Sequence, residues 1–252
     1  MRDDPAEIRA ALEVFVRGFC AQKSGTHPYE FAKFGAVWMM RDAERKNPRY
    51  YRKEEWVCYE TSAAEVDKLA RGHTRGRFFV CAVRGMVDEE GPLKESYKRL
   101  RYRLLATEPL FVHRLKKIPR PAAPAEIERV QTVEMAAQFG KATRTRPILP
   151  ELLKKDAPFR QYVAIEGDKI VGWVRSIDAD GATWCSNMYV RPQARRRGIG
   201  TALLARMLRD DRSRGARQSV LLSSHAGALM YPRVGYEQIG VLSIFAPRKG
   251  GR

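Results

Sequence analysis

The chain is poor in the residues that build metal centres and covalent staples. Its 252 residues include only four cysteines, at 20, 58, 81 and 185, and four histidines. No Cys-x-x-Cys pair or histidine cluster occurs, so neither a metal site nor a disulfide framework is expected. No apolar run approaches the roughly 20 residues that a membrane-spanning helix needs, and no basic-then-apolar leader opens the chain. These absences point to reduced thiols, no membrane and a cytoplasmic address. Acidic residues are scarce too, with 29 Asp+Glu against 47 Lys+Arg for a net charge of +18. The excess is spread evenly: 25 basic against 17 acidic residues through Arg120 give +8, and 22 against 12 beyond it give +10. Such a surface favours anionic partners. One segment, Arg45 to Lys53, interleaves basic and aromatic residues as nucleic-acid surfaces do. It carries no recognised motif and reads as a solvated loop between strands, so nucleic acid is a possible partner and not the favoured one.

What the sequence does have is concentrated between Met188 and Leu204. Met188, Tyr189 and Val190 end an apolar strand, Arg195-Arg196-Arg197-Gly198-Ile199-Gly200-Thr201 forms a basic turn, and a helix follows with Ile199, Leu203, Leu204, Met207 and Leu208 on one face. The first turn of a helix leaves backbone N–H groups unpaired at the positive end of the helix dipole. A diphosphate placed there gains hydrogen bonds and favourable electrostatics, Gly198 and Gly200 keep Cβ atoms out of its way, and the arginines add charge.

The flanks extend this pattern. Gln161 to Ile165, Lys169 to Ile177 and Thr183 to Val190 read as strands, joined by Glu166-Gly167-Asp168 and Asp178-Ala179-Asp180-Gly181 as tight hairpin turns. Downstream, Gln218 to Ser224 reads as a strand, Ala226 to Val234 as a helix ended by Gly235, and Tyr236 to Phe245 as extended. Arg195-x-x-Gly198-x-Gly200 after a strand, with Tyr231 before Gly235-Tyr236, resembles the GNAT superfamily, whose members transfer an acyl group from acyl-coenzyme A, usually to an amine. The resemblance implies acetyl-CoA as donor with coenzyme A as product, an amine-bearing acceptor, and direct transfer. It places Met188, Tyr189, Val190, Arg195, Arg196, Arg197, Gly198, Ile199, Gly200, Thr201 and Ser224 against the cofactor, Ser224 standing where the family often has asparagine. It also makes Tyr231 the general acid, a role that suits a phenol with a reference pKa of about 10. A non-catalytic acyl-CoA sensor or a basic nucleic-acid-associated protein is the alternative reading. No motif names the amine or the oligomeric state.

Two further groups bear on the chemistry. Trp184-Cys185-Ser186-Asn187 holds no carboxylate, so a general base is left unassigned among Asp178, Asp180, Glu166 and His225, for which turn formation or helix entry is the competing role. Cys185 would permit a covalent acyl-enzyme, but a strand cysteine without a paired histidine reads as packing.

The first half has its own logic. Three prolines in Ile118 to Ala125 suggest a stiff linker, with Glu126 to Lys141 opening the next domain as a helix. Tyr97 to Ala106 aligns without gaps to Tyr231 to Gly240, and Leu110-Phe111 to Ile244-Phe245. The order before it also agrees: helix Ile8 to Phe19, strand Ala36 to Met40, strand Glu54 to Tyr59, helix Ala63 to Ala70 and strand Arg77 to Val83. Where the cradle would stand, Ser62-Ala63-Ala64-Glu65 forms a capping box that consumes the helix N–H groups a diphosphate needs. Tyr97 then reads as packing. The expectation is an α/β (α+β) chain of two GNAT-like domains, each a mixed, largely antiparallel sheet flanked by helices. Residues 1–118 would be a degenerate copy without the phosphate loop, 119–125 a linker, 126–252 the acyl-CoA-binding domain, and the end from Pro247 a frayed tail.

Overall fold

A computed structural model describes residues 4–122 and 124–248. The chain folds into two compact units: the first holds residues up to Phe111, Leu222–His225 and the chain from Gln238 onward, the second Val112–Leu221 and Ala226–Glu237. Each is a mixed α/β unit.

The first unit opens with α1 (Pro5–Lys23), started by Asp4, whose carboxylate accepts from the Ala6 and Glu7 N–H groups. Its Ile8, Ala11, Leu12, Phe15 and Val16 are buried at helical spacing. There follow β1 (Tyr29–Phe34), β2 (Val37–Asp42), β3 (Glu54–Tyr59), α2 (Ala63–His73), β4 (Phe78–Arg84), α3 (Glu90–Arg99) and β5 (Tyr102–His113). The loop from Arg45 to Lys53 links β2 to β3; Asp42, fully buried, accepts from Arg45 and Arg52 and fixes both its ends. Strands β1, β2 and β3 pair antiparallel, and β3 pairs parallel with β4.

The second unit opens with a strand. β6 (Glu126–Arg129), α4 (Val133–Thr143), β7 (Phe159–Glu166), β8 (Lys169–Ala179), β9 (Ala182–Val190), α5 (Ile199–Ser213), β10 (Ser219–Leu222) and α6 (His225–Ala228) follow in order. Strands β6 to β9 pair antiparallel in sequence, and β9 pairs parallel with β10. The β8–β9 hairpin turns on Asp180 and Gly181, both at positive φ of 52° and 70°, the geometry an Asp-Gly pair adopts readily. Helix α5 packs chiefly on β8, where Gly172 leaves space: a Cβ there would lie 3.1 Å from Leu203 Cδ1. Farther along α5, the fully buried Asp211 carboxylate accepts from Ser176 Oγ (2.8 Å), Thr183 Oγ1 (2.9 Å) and Arg160 (3.0 Å), tying the helix to β7, β8 and β9.

Several expectations change. The chain does not divide at residues 119–125. The last strand, β11 (Glu237–Pro247), returns to the first unit between β4 and β5, pairing antiparallel with β4 from Val241↔Arg84 to Phe245↔Val80. Phe245 stacks on Tyr97 at 4.3 Å within the cluster that includes Trp56, Tyr97 and Tyr102, so the core itself requires the return. Glu126 to Lys141 is not one helix: Glu126-Ile127-Glu128-Arg129 alternates as an edge strand on β7, and the helix starts only after Thr132, whose hydroxyl accepts from the Met135 N–H. Ala226 to Val234 is likewise broken, into α6 and a 3₁₀ turn, Tyr231–Val234, where Pro232 lacks the N–H that would continue an α-helix. β1 was not foreseen. Residues 249–252 of the expected tail lie outside the described residues.

Candidate functional site

The site forms where β9 hands over to α5. Between Trp173↔Tyr189 and Arg175↔Ser186 the β8–β9 register skips, so Val174 alone faces Asn187 and Met188. Asn187 adopts φ 53°, making a β-bulge that re-aims the strand's last peptides. On the other side of β9, pairing with β10 stops at Trp184↔Val220. The strand from Cys185 onward therefore leaves its parallel neighbour, and its peptide groups at Met188 to Val190 are placed to bond an extended ligand.

Tyr189 stands on this segment, stacked on Trp173 at 4.8 Å, with the Arg195 guanidinium 5.5 Å from its ring centre. Arg195 Nε also donates to the Val190 carbonyl at 2.9 Å. After the 3₁₀ turn Pro192–Ala194, Arg196 turns left-handed at φ 63° and Gly198 at φ 86°. Gly198 is the N-cap of α5 and supplies no side-chain acceptor, so the first-turn N–H groups are uncapped by any side chain. At the start of α2 the reverse holds, because Ser62 Oγ accepts from the Glu65 N–H at 3.2 Å. Arg197 pairs with Glu166 at 2.8 Å in a half-exposed ion pair, which costs little to exchange for an incoming anion. Arg196 is exposed, Ile199 and Gly200 are buried and Thr201 is half-buried. This open, basic first turn fits the diphosphate of coenzyme A.

The same end of α5 meets the turn that carries Tyr231. A Cβ added at Gly200 would lie 2.6 Å from Met230 Sδ and 3.1 Å from Met188 Cε, so these side chains close over the glycine. Tyr231 is 6% exposed. Burial pushes its hydroxyl well above the ordinary tyrosine pKa, with the buried Cys185 thiol adding to the effect, so the proton stays on at neutral pH. Its ring meets Tyr236 edge-on at 5.7 Å, and Tyr236 in turn shares a 2.8 Å hydrogen bond with Ser219. The far end of the turn rests on His113, whose Nδ1 accepts from the Leu115 N–H and whose Nε2 therefore donates to the Val234 carbonyl at 2.9 Å.

Ser224 and His225 are exposed, and His225 Nε2 shares a 2.7 Å hydrogen bond with Thr107. Asp178 pairs with Arg160 and Arg214, and Asp180 is a turn residue. Cys185 is fully buried with its thiol pKa pushed up, the opposite of a poised nucleophile. Sequence reasoning missed Met230 and His113; for Met230 the only signal is adjacency to Tyr231.

Comparison with known proteins follows the same lines. A family profile described as Acetyltransferase (GNAT) domain matches residues 158–238. No protein of curated function matches the chain. Among solved structures, a GCN5-related N-acetyltransferase from Kribbella flavida superposes with a TM-score of 0.64 at 19% identity, over 98% of this chain and 97% of that one. A functionally unknown conserved protein from Staphylococcus epidermidis gives 0.60 at 15%, over 90% and 97%. A GCN5-related N-acetyltransferase from Sphaerobacter thermophilus gives 0.55 at 16%, over 97% and 94%. At these identities the structures share the fold, and they share it across both halves of the chain. The profile match spans the β9–α5 cradle and the Tyr231 turn, so residues 158–238 are similar to an acetyltransferase domain of the GNAT superfamily.

Proposed function

We propose that the chain is an N-acyltransferase that takes an acetyl group from acetyl-CoA and transfers it directly to an amine, with Tyr231 as general acid. The observation that carries this reading is the meeting of two parts at one helix end: the uncapped first turn of α5, and the buried, protonated Tyr231 on a turn packed against Gly200. Gly198, Ile199, Gly200 and Thr201 would offer backbone N–H groups to the diphosphate, Arg195, Arg196 and Arg197 its counter-charge, and the bulged end of β9 an edge for the pantetheine arm. When bound, acetyl-CoA supplies the activated thioester carbon. Transfer forms the amide C–N bond and breaks the C–S bond; the Tyr231 hydroxyl gives its proton to the departing sulfur, and the proton shed by the amine nitrogen returns to the tyrosinate through solvent, leaving amide and free thiol. Burial keeps the phenol protonated at neutral pH, so it holds the proton that the departing sulfur takes, while the same raised pKa makes it a weaker acid.

The first unit we read as a second copy of the same fold that has lost the donor site. Its strand order matches, and Tyr97 meets Tyr102 edge-on at 5.6 Å and 72°, as Tyr231 meets Tyr236 at 5.7 Å and 77°. Its helix start, however, is closed by Ser62, and Tyr97 is fully buried against Phe245.

The test is thiol release from acetyl-CoA by the purified protein across a panel of amines, beside Tyr231→Phe. We expect Tyr231→Phe to lower kcat about 100-fold while coenzyme A affinity stays within a few-fold. Coenzyme A binding with no thiol released by any amine would instead make the chain an acyl-CoA-binding protein without turnover.

A further inference from the structure

We propose that Gly200 is a seat for the Met230 side chain, and that Met230 held in this seat is a positioning residue for Tyr231. The inference rests on the acyltransferase reading for its catalytic half and on packing alone for its structural half.

Three features carry it. An added Cβ at Gly200 would collide with Met230 Sδ at 2.6 Å and press on Met188 Cε at 3.1 Å, so the absent side chain is the space the two methionines occupy. Met230 also sets the entry to the 3₁₀ turn: its N–H donates to the Gly227 carbonyl at 3.0 Å and its own carbonyl accepts from the Arg233 N–H at 3.1 Å. Finally, the side chains flanking Met230 and Tyr231 at this end of the turn face outward. Leu229 is 79% exposed, Pro232 and Arg233 are exposed, and the buried Val234 anchors the far end of the turn, which leaves the half-buried Met230 to anchor its near end, directly before Tyr231. A flexible thioether suits a shallow notch beside a helix end. The proposal requires that the turn follow the displaced thioether, and a misplacement of about 1 Å at a reacting group can cost up to about 100-fold in rate.

The competing role for Gly200 is to let the donor's diphosphate approach the α5 backbone. The two roles predict different double-mutant cycles. We expect Met230→Ala and Gly200→Ala each to lower kcat about tenfold with KM for acetyl-CoA moved less than about twofold. The Met230→Ala/Gly200→Ala pair should be no worse than either single change, because truncating Met230 makes room for the new Cβ. Met230→Leu should recover most of kcat. A KM that rises with Gly200→Ala in both backgrounds, or effects that multiply, would overturn the proposal. Hydrogen exchange on the same proteins reads the seat without turnover. The Tyr236 amide, which donates to the Tyr231 carbonyl, should exchange faster in both single variants and no faster in the double. Unchanged exchange in Met230→Ala sinks the seat; absence of thiol release from the unaltered protein sinks the acyltransferase reading, and exchange then decides the seat alone.

Discussion

At the scale of single residues, the side chains that hold α5 in place differ in kind from those around its first turn. Asp211 is the clearest. Its neighbours Asp210 and Arg212 stand on the outer side of α5, while Asp211 is fully buried and satisfied by Ser176, Thr183 and Arg160. Removing one partner of a buried ion pair strands the other, at about 3–5 kcal/mol. Asp211→Ala should therefore destabilise by that amount in chemical denaturation. Asp211→Asn, which keeps an acceptor, should cost less, on the order of 1–3 kcal/mol. Denaturation midpoints equal to that of the unaltered protein would show that the triad of donors does not anchor α5. None of this was legible in Arg209-Asp210-Asp211-Arg212, which reads as four solvated charges. Tyr231 stands out as a candidate because its spacing to Gly235 and Tyr236 is a local pattern; Asp211 does not, because its partners come from three different strands.

At the scale of elements, the strand-turn-helix handover works by backbone geometry more than by side chains. Gly198 sits at φ 86°, and a Cβ there would meet nothing within 4 Å. Any penalty for Gly198→Ala is then conformational, about 1–2 kcal/mol for a left-handed L-residue. The expected result is a modest fall in thermal midpoint with weakened coenzyme A binding, read by calorimetry. Gly198→Asn should fall less, since asparagine tolerates the left-handed region. Equal effects of the two substitutions would point to crowding rather than φ. The same elements show what a sequence can and cannot announce. The hairpins at Gly167 and at Asp180-Gly181 declared themselves through turn chemistry, and β7, β8 and β9 lie within a few residues of their expected bounds. Glu126 to Lys141 and Ala226 to Val234 misled because helix-forming composition hid a four-residue edge strand in one and a proline-opened 3₁₀ turn in the other. The bulge at Asn187 leaves no mark on the hydrophobic pattern at all.

At the scale of the whole chain, the sequence order of elements and their grouping in space part company at β11. The likeness of the Tyr97 and Tyr231 segments suggests two copies in sequence, and a linear reading then assigns each its own final strand. Strand exchange is decided by long-range packing, and the apolar residues of Tyr236 to Phe245 would satisfy either sheet. Phe245 shows which one they satisfy: it is 1% exposed, stacks on Tyr97 and shares a core with Trp56 and Tyr102. A Phe→Ala change in such a core costs about 3–5 kcal/mol through lost transfer energy and the cavity left behind. The location of the damage is the sharper test. Because β11 pairs with β4, Phe245→Ala should speed hydrogen exchange in β3 and β4 while β7, β8 and the Tyr231 turn keep their protection. Were the last strand part of the second unit, as chain order suggests, β9 and β10 would loosen first and any coenzyme A affinity would fall with them. Loss of protection centred on β3 and β4, with coenzyme A binding retained, is the outcome that the Phe245–Tyr97 stack requires.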